Sequence, residues 1–186
     1  MMASDLPSDD GPTIPKGDAL VLGQLLLSGR CPAWGSLPPG RNAAVFTVCP
    51  LPSPMSADAE QSALSCTSLG GEPCRRCLTD AEPGEGLLLL SYDPFLGDSP
   101  YRCASPVFVH AEKCQLFDGP GLPEQQRRRL LSARAYDDLH LMVHADIVAG
   151  AALPELLERF FNSAAVSYVH LHYARQGCFA ARVDRA

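Results

Sequence analysis

Residues 166–184 read VSYVHLHYARQGCFAARVD, and this stretch decides the fold. Its two runs, Val166–Tyr173 and Cys178–Val183, flank Ala174-Arg175-Gln176-Gly177. A short glycine-containing connection between two β-like runs predicts a hairpin. Side chains alternate along a strand, so Tyr168, His170 and His172 share one face and Val169, Leu171 and Tyr173 the other. Residues two apart on a strand lie about 7 Å from each other. Two imidazoles at that spacing, with the Cys178 thiol across the hairpin, suit a metal site, an acid–base pair or a Cys–His nucleophile couple. The plainer reading is two hydrogen-bonded imidazoles in a half-buried sheet beside a core cysteine.

Upstream, ALPELLERFF at 152–161 puts Leu153, Leu156, Leu157, Phe160 and Phe161 at i, i+3, i+4, i+7 and i+8. That is one apolar helical stripe, with Pro154 in the first turn where it is tolerated. Before it, LSARAY (131–136) and LHLMVHADIV (139–148) flank Asp137-Asp138 as a second hairpin. In the later run Leu139, Leu141, Val143, Ala145 and Ile147 alternate with His140, Met142, His144 and Asp146, which predicts one face in the core. Further strands are expected at Ala43–Cys49, at Leu87–Tyr92 (buried on both faces), at Val107–His110 and at Lys113–Phe117. Ser56 is positioned to cap a short helix over 56–64. Connections are mostly too short for parallel crossovers, except 148–166 through the helix. The expected class is therefore α+β: a mainly antiparallel sheet, one clear amphipathic helix and a C-terminal hairpin. Residues 1–42 have the composition of a largely disordered tail with an apolar island at Ala19–Leu27, and 43–186 form a single globular domain.

The chain has 186 residues, 46% of them hydrophobic and 19% charged, with a net charge of −6. An acidic chain lacks the basic face that nucleic acid or an anionic membrane needs. The one basic run, Arg127–Arg129, follows Glu124 and reads as a solvated helix face. No apolar run approaches the ~20 residues of a membrane span, and acidic residues precede Ala19–Leu27 where a signal peptide would carry Lys or Arg. A cytoplasmic protein is expected, with small-molecule partners and no membrane or nucleic-acid partner. Its eight cysteines are expected as reduced thiols or metal ligands rather than a disulfide framework. No P-loop, dinucleotide fingerprint or Gly-x-Ser-x-Gly elbow is present, so no organic cofactor is expected.

Three segments, PCRRCLTDAEPGEGLLLLSY (73–92), SPYRCASPVFVH (99–110) and VSYVHLHYARQGCFAARVDRA (166–186), resemble the bacterial and fungal family catalogued as domain of unknown function 1203. The similarity spans about 45–186, and the Tyr-x-His-x-His…Gly-Cys segment is its most specific part. The resemblance implies one compact domain with Cys74, Arg75, Tyr101, Arg102, His170, His172, Gly177, Cys178 and Arg182 at motif positions. The chain departs from the family pattern at Cys77 and at Ser105.

Two constellations compete for function. Cys74-x-x-Cys77 with His110-x-x-x-Cys114 supplies a Cys₃His ligand set, for which zinc is the possible ion. Alternatively His170, His172 and Cys178 are catalytic and Tyr101, Arg102 and Arg182 bind substrate, Arg102 by its planar fork or else paired structurally with Asp93 or Asp98. On that reading the protein is a small enzyme acting by proton transfer (isomerisation or cyclisation) on an anionic or carbonyl-containing molecule, with acyl transfer second. On the other it is a non-catalytic ligand- or protein-binding module stabilised by structural zinc. His140, His144 and Asp146 read as a solvent-facing set, and Glu82 and Glu85 flank a tight turn with no assigned chemistry.

Overall fold

The structure, a computed structural model, describes residues 46–51, 63–95 and 97–186. The N-terminal tail with its apolar island, the strand start at 43–45 and the helix over 56–62 lie outside the described residues. Leu64, expected to end that helix, instead opens a strand. The strands are β1 (Phe46–Cys49), β2 (Leu64–Thr67), β3 (Gly86–Tyr92), β4 (Ser105–His110), β5 (Leu130–Tyr136), β6 (Met142–Ala149), β7 (Tyr168–Tyr173) and β8 (Phe179–Arg185). The helices are a single turn, α1 (Glu124–Arg127), and α2 (Leu153–Phe161), which a 3₁₀ turn at Gly150–Ala152 leads into.

The strands form a five-stranded sheet ordered β1-β8-β7-β5-β6 and a three-stranded sheet ordered β2-β3-β4. Every strand pairing is antiparallel, so the chain is α+β as expected. Both predicted hairpins form. The C-terminal one pairs His170 with Arg182 and Leu171 with Ala181, then shifts register so that His172 faces Phe179. Gly177 sits at φ +74 and its amide donates to the Tyr173 carbonyl, a turn conformation that costs glycine little. The connection from β6 through α2 crosses over β5, so β6 and β7 flank β5 and run parallel to each other.

The two faces of the large sheet differ. On one, Leu131, Ala133, Ala135, Val169, Leu171, Tyr173, Ala181 and Val183 join the predicted α2 stripe, Leu153, Leu156, Leu157, Phe160 and Phe161, in one apolar cluster. Each fully buried Val, Leu or Phe side chain among them contributes about 1.5–3 kcal/mol. On the opposite face Phe179 packs with Leu51, Leu90, Val107 and Val109, which brings the small sheet against the large one. Phe95 covers Tyr136 and Tyr168 further along that face. All six residues of β7 are therefore buried.

Three strand expectations are corrected. Lys113–Phe117 is irregular, because its hydrogen bonding is spent elsewhere: the Phe117 amide donates to the Arg76 carbonyl. β6 is an edge strand with Ile147 65% exposed, so its tidy alternation does not mark a buried face. In β3, Leu87 and Leu90 are buried but Leu88 and Leu89 only half-buried, because a single layer covers the small sheet.

The 3₁₀ turn meets α1 at close quarters. The Gly150 amide donates to the Arg129 carbonyl at 2.7 Å, and a Cβ on Gly150 would lie 1.9 Å from the Gln126 carbonyl oxygen. Gly150→Ala must move backbone, and it is expected to destabilise the fold by about 3 kcal/mol, the upper end of overpacking costs. A denaturant midpoint matching wild type would contradict this packing.

Candidate functional site

Cys74 to Leu78 form a tight turn closed by the Cys74 amide donating to the Thr79 carbonyl at 3.0 Å. Leu78 follows the second cysteine at φ +53, a left-handed conformation rare for a bulky residue. An isolated parallel bridge joins Cys74 to Phe108, and the Arg75 amide donates to the Phe108 carbonyl at 3.0 Å. This lays the turn alongside β4, whose last residue is His110. The bond from Phe117 to Arg76 then returns the next segment, with Cys114, to the same turn.

The ligand atoms of Cys74, Cys77, His110 and Cys114 consequently lie within 4.8 Å of one another, and the group can hold a metal ion. Cys74 Sγ and Cys114 Sγ are 3.9 Å apart, and Cys77 Sγ is 3.4 Å from His110 Nδ1. The His110 amide donates to Cys74 Sγ at 3.4 Å. Glu85, given no role from sequence, places Oε2 3.3 Å from His110 Nε2, within ion-pair range but outside hydrogen-bond alignment. Hydrogen bonding to Cys77 and to backbone amides pulls the Cys74 thiol down to about 7, and the same side-chain bond pushes Cys77 up to about 12. Burial raises Cys114. Thiols within hydrogen-bond reach of one another titrate as a coupled group.

The second set of residues lies on the Phe179 side of the large sheet. Register places Arg134, His170 and Arg182 in one row across β5, β7 and β8. Tyr136, Tyr168 and Asp184 form the next row, and Ser132, His172 and Phe179 the row on the other side. His170 has no exposed surface and is ringed by Phe95, Tyr136, Tyr168, Phe179 and His172 at centroid distances of 4.9–6.4 Å. Neither of its ring nitrogens has a hydrogen-bond partner, and neither has His172 Nε2; His172 Nδ1 lies 3.1 Å from the Gly177 carbonyl. Burial, then Arg182, drives the His170 pKa well below the usual imidazole value, and burial with Arg134 lowers His172 to about 4. Both rings are neutral at pH 7.

The structure separates other residues grouped from sequence. Cys178 belongs to the apolar cluster on the opposite face, with Tyr173 and Leu171, and its Sγ accepts from the buried Arg75 guanidinium at 3.0 Å. Strand alternation places the thiol away from the histidines. Arg102 pairs with Asp93 at 2.8 Å and Asp98 at 3.6 Å, the structural pairing weighed above. Tyr101 is 43% exposed, with its ring 5.9 Å from Tyr136. Arg182 does face His170, but its Nε donates to Asp184 at 2.7 Å and its guanidinium stacks over Tyr168 at 4.0 Å. His140, at φ +61 before β6, bonds the Tyr168 hydroxyl through Nδ1, while His144 stacks on Phe160 beside α2, so His140, His144 and Asp146 do not converge. Arg127 and Arg128 are exposed and pair with Glu124, Arg128 also with Asp80, as a solvated basic face would, whereas Arg129 is half-buried, paired with Asp80, and donates to the Gly71 carbonyl with its guanidinium over the Tyr173 ring. Among the described residues, no helix is long and apolar enough to cross a membrane.

The fold and the converged side chains define an α+β domain with a Cys₃His group that could hold a metal ion. The chain belongs to the family described as "Protein of unknown function (DUF1203)", whose family model matches residues 71–185. No curated protein and no solved structure matches it. The match takes in all four ligands and both buried histidines.

Depressed imidazole pKa values fix the sign of an acid response. The unfolded chain takes up protons as pH falls below 6.5, whereas folded His172 resists them until about 4. This stabilisation is complete above pH 6.5 and is lost on acidification toward 4, roughly 3 kcal/mol for His172 alone. Denaturant midpoints are expected to fall over that window, less steeply in His172→Gln. A flat profile would mean the rings are not buried neutral.

Proposed function

We propose that the protein is a non-catalytic ligand- or protein-binding module whose domain is stabilised by structural zinc at Cys74, Cys77, His110 and Cys114. The observation that carries this reading is the convergence of four ligand atoms, drawn from three separate segments, to within 4.8 Å. Zinc bound at about 2.3 Å to sulfur and 2.0–2.1 Å to nitrogen forms a tetrahedron with edges of about 3.8 Å between sulfurs and 3.5 Å between sulfur and nitrogen. The Cys74–Cys114 and Cys77–His110 separations of 3.9 and 3.4 Å fit those edges. Four protein ligands leave no open position, which favours a structural rather than a catalytic ion. Glu85 is placed to orient the imidazole from outside the ligand shell.

Elemental analysis of the purified chain tests the reading. About one zinc per chain is expected, lost in Cys77→Ala together with several kcal/mol of stability, because metal binding and folding are coupled here. Zinc retained in that variant, or no bound metal in wild type, refutes it.

A second reading is favoured by the three buried ring nitrogens without partners. On it the protein is a small enzyme without organic cofactor that moves a proton on an anionic or carbonyl-containing small molecule. His172 is the base, since a neutral ring with a free nitrogen accepts a proton. Cys178, on the far face, drops out as nucleophile, which leaves proton transfer ahead of acyl transfer. Incubating the protein with small oxo acids in deuterated water is expected to exchange their α-protons, and His172→Gln to abolish the exchange. Equal exchange in the variant, or none above the blank in wild type, excludes this reading.

A further inference from the structure

Arg134 sits at the centre of β5, half-buried, on the face that carries the histidines. Among the described residues its guanidinium meets no carboxylate. Its Nε donates to Ser132 Oγ at 3.4 Å, and its side chain bonds the Tyr136 hydroxyl. Its cross-strand neighbour His170 is fully buried with both ring nitrogens unpartnered, and His172, one row away, has Nε2 unpartnered. A buried polar atom without a partner costs about 1–3 kcal/mol, so three of them beside an unpaired cation require an explanation. The acidic group on this face is engaged elsewhere: Asp184 accepts from Arg182 at 2.7 Å and from the Cys49 thiol at 3.5 Å.

On the β6 side the small, exposed Ala145 lies opposite Arg134, and Ile147, 65% exposed, follows it opposite Ser132. Toward β8, by contrast, the face is roofed by Phe95 and by the small sheet against Phe179. The half-buried Arg134 is thus the outer member of this row and the fully buried His170 the inner one.

We infer that Arg134, His170 and Ser132 form a binding site for a compact oxyanion, a phosphate or carboxylate group, with Arg134 as its anchor and His172 beside it. The guanidinium supplies charge and a planar pair of donors matched to such an anion. Neutral His170, with neither ring nitrogen committed, offers one N–H and the Ser132 hydroxyl one more, whereas the single N–H of His172 is on Nδ1 and is spent on the Gly177 carbonyl. The inference rests on the binding-module reading, for which it names the ligand class, and it holds equally if the bound molecule reacts.

The test follows the imidazole resonances of ¹⁵N-histidine-labelled, metal-loaded full chain while inorganic phosphate, and separately acetate, is added at constant ionic strength. Saturable shifts of the His170 and His172 signals are expected with at least one of the two anions, and the stronger binder distinguishes phosphate from carboxylate. Arg134→Gln is expected to weaken binding at least about tenfold, the loss of a charged hydrogen-bond partner. Arg134→Lys, which keeps the charge without the fork, is expected to fall between Arg134→Gln and wild type. No saturable shift with either anion, or undiminished affinity in Arg134→Gln, overturns the site. If Arg134→Gln does not fold, a lysine variant that binds as tightly as wild type overturns the guanidinium's role. Zinc content measured on the same samples reports the metal reading separately, so either can fail alone.

Discussion

The structure hangs on the Arg75 guanidinium, a cation 1% exposed at the junction of the two sheets. Its Nε donates to the Phe179 carbonyl at 2.9 Å, one terminal nitrogen to the Pro73 carbonyl and the other to Cys178 Sγ, and the group lies over the Tyr173 ring at 4.9 Å. Its backbone donates to Phe108 on β4 and accepts from Leu51 beyond β1. One residue thus ties the cysteine turn to both strands of the C-terminal hairpin at its turn end, to the small sheet and to the segment after the first strand. Burying a cation costs several kcal/mol unless it is compensated, and among the described residues no carboxylate pairs with Arg75. Carbonyl dipoles, a polarisable sulfur and an aromatic face do part of that work.

The proposed metal site supplies what is missing. Three thiolates, one neutral imidazole and a divalent ion would sum to one negative charge, shared among Cys114 and the Cys74 and Cys77 that bracket Arg75 and Arg76 in sequence. An anionic metal-thiolate group there would stabilise the buried guanidinium across one turn. The strained Leu78 conformation fits the same logic, since a left-handed bulky residue persists where its surroundings over-determine it. Bound metal would fix the turn, and the turn, through Arg75, would fix the hairpin that carries His170 and His172.

Local pattern made much of this legible from sequence. The hairpin, the α2 stripe and each of the pairs Cys74–Cys77 and His110–Cys114 follow from short-range spacing, which covalent geometry preserves on folding; the convergence of the two pairs rests on the Cys74–Phe108 bridge. What stayed hidden depended on register or on long-range partners. Arg134 alternates with Ser132 and Tyr136, but only the pairing of β5 with β7 sets it beside His170. Cys178 seemed to join the histidines because it lies across the turn; the register shift between Leu171 and His172 and the pull of Arg75 place it on the other face. β6 alternates as a half-buried strand would, yet its position at the sheet edge exposes it. Glu85 came to His110 through the pairing of β3 with β4, a contact no motif encodes.

The two faces of β7 therefore serve different ends. Val169, Leu171 and Tyr173 complete the apolar core under α2, and any polar substitution there would be buried without a partner. Tyr168, His170 and His172 instead spend burial on polar rings left partly unsatisfied, a cost that a purely structural face would avoid with leucine or valine. Sheets tolerate such a cost where the polar groups meet something that arrives from outside. That asymmetry, on a strand locked between β5 and β8 and rigid enough to hold geometry, argues for the histidine face as the working surface and the cysteine turn as the element that keeps it in place.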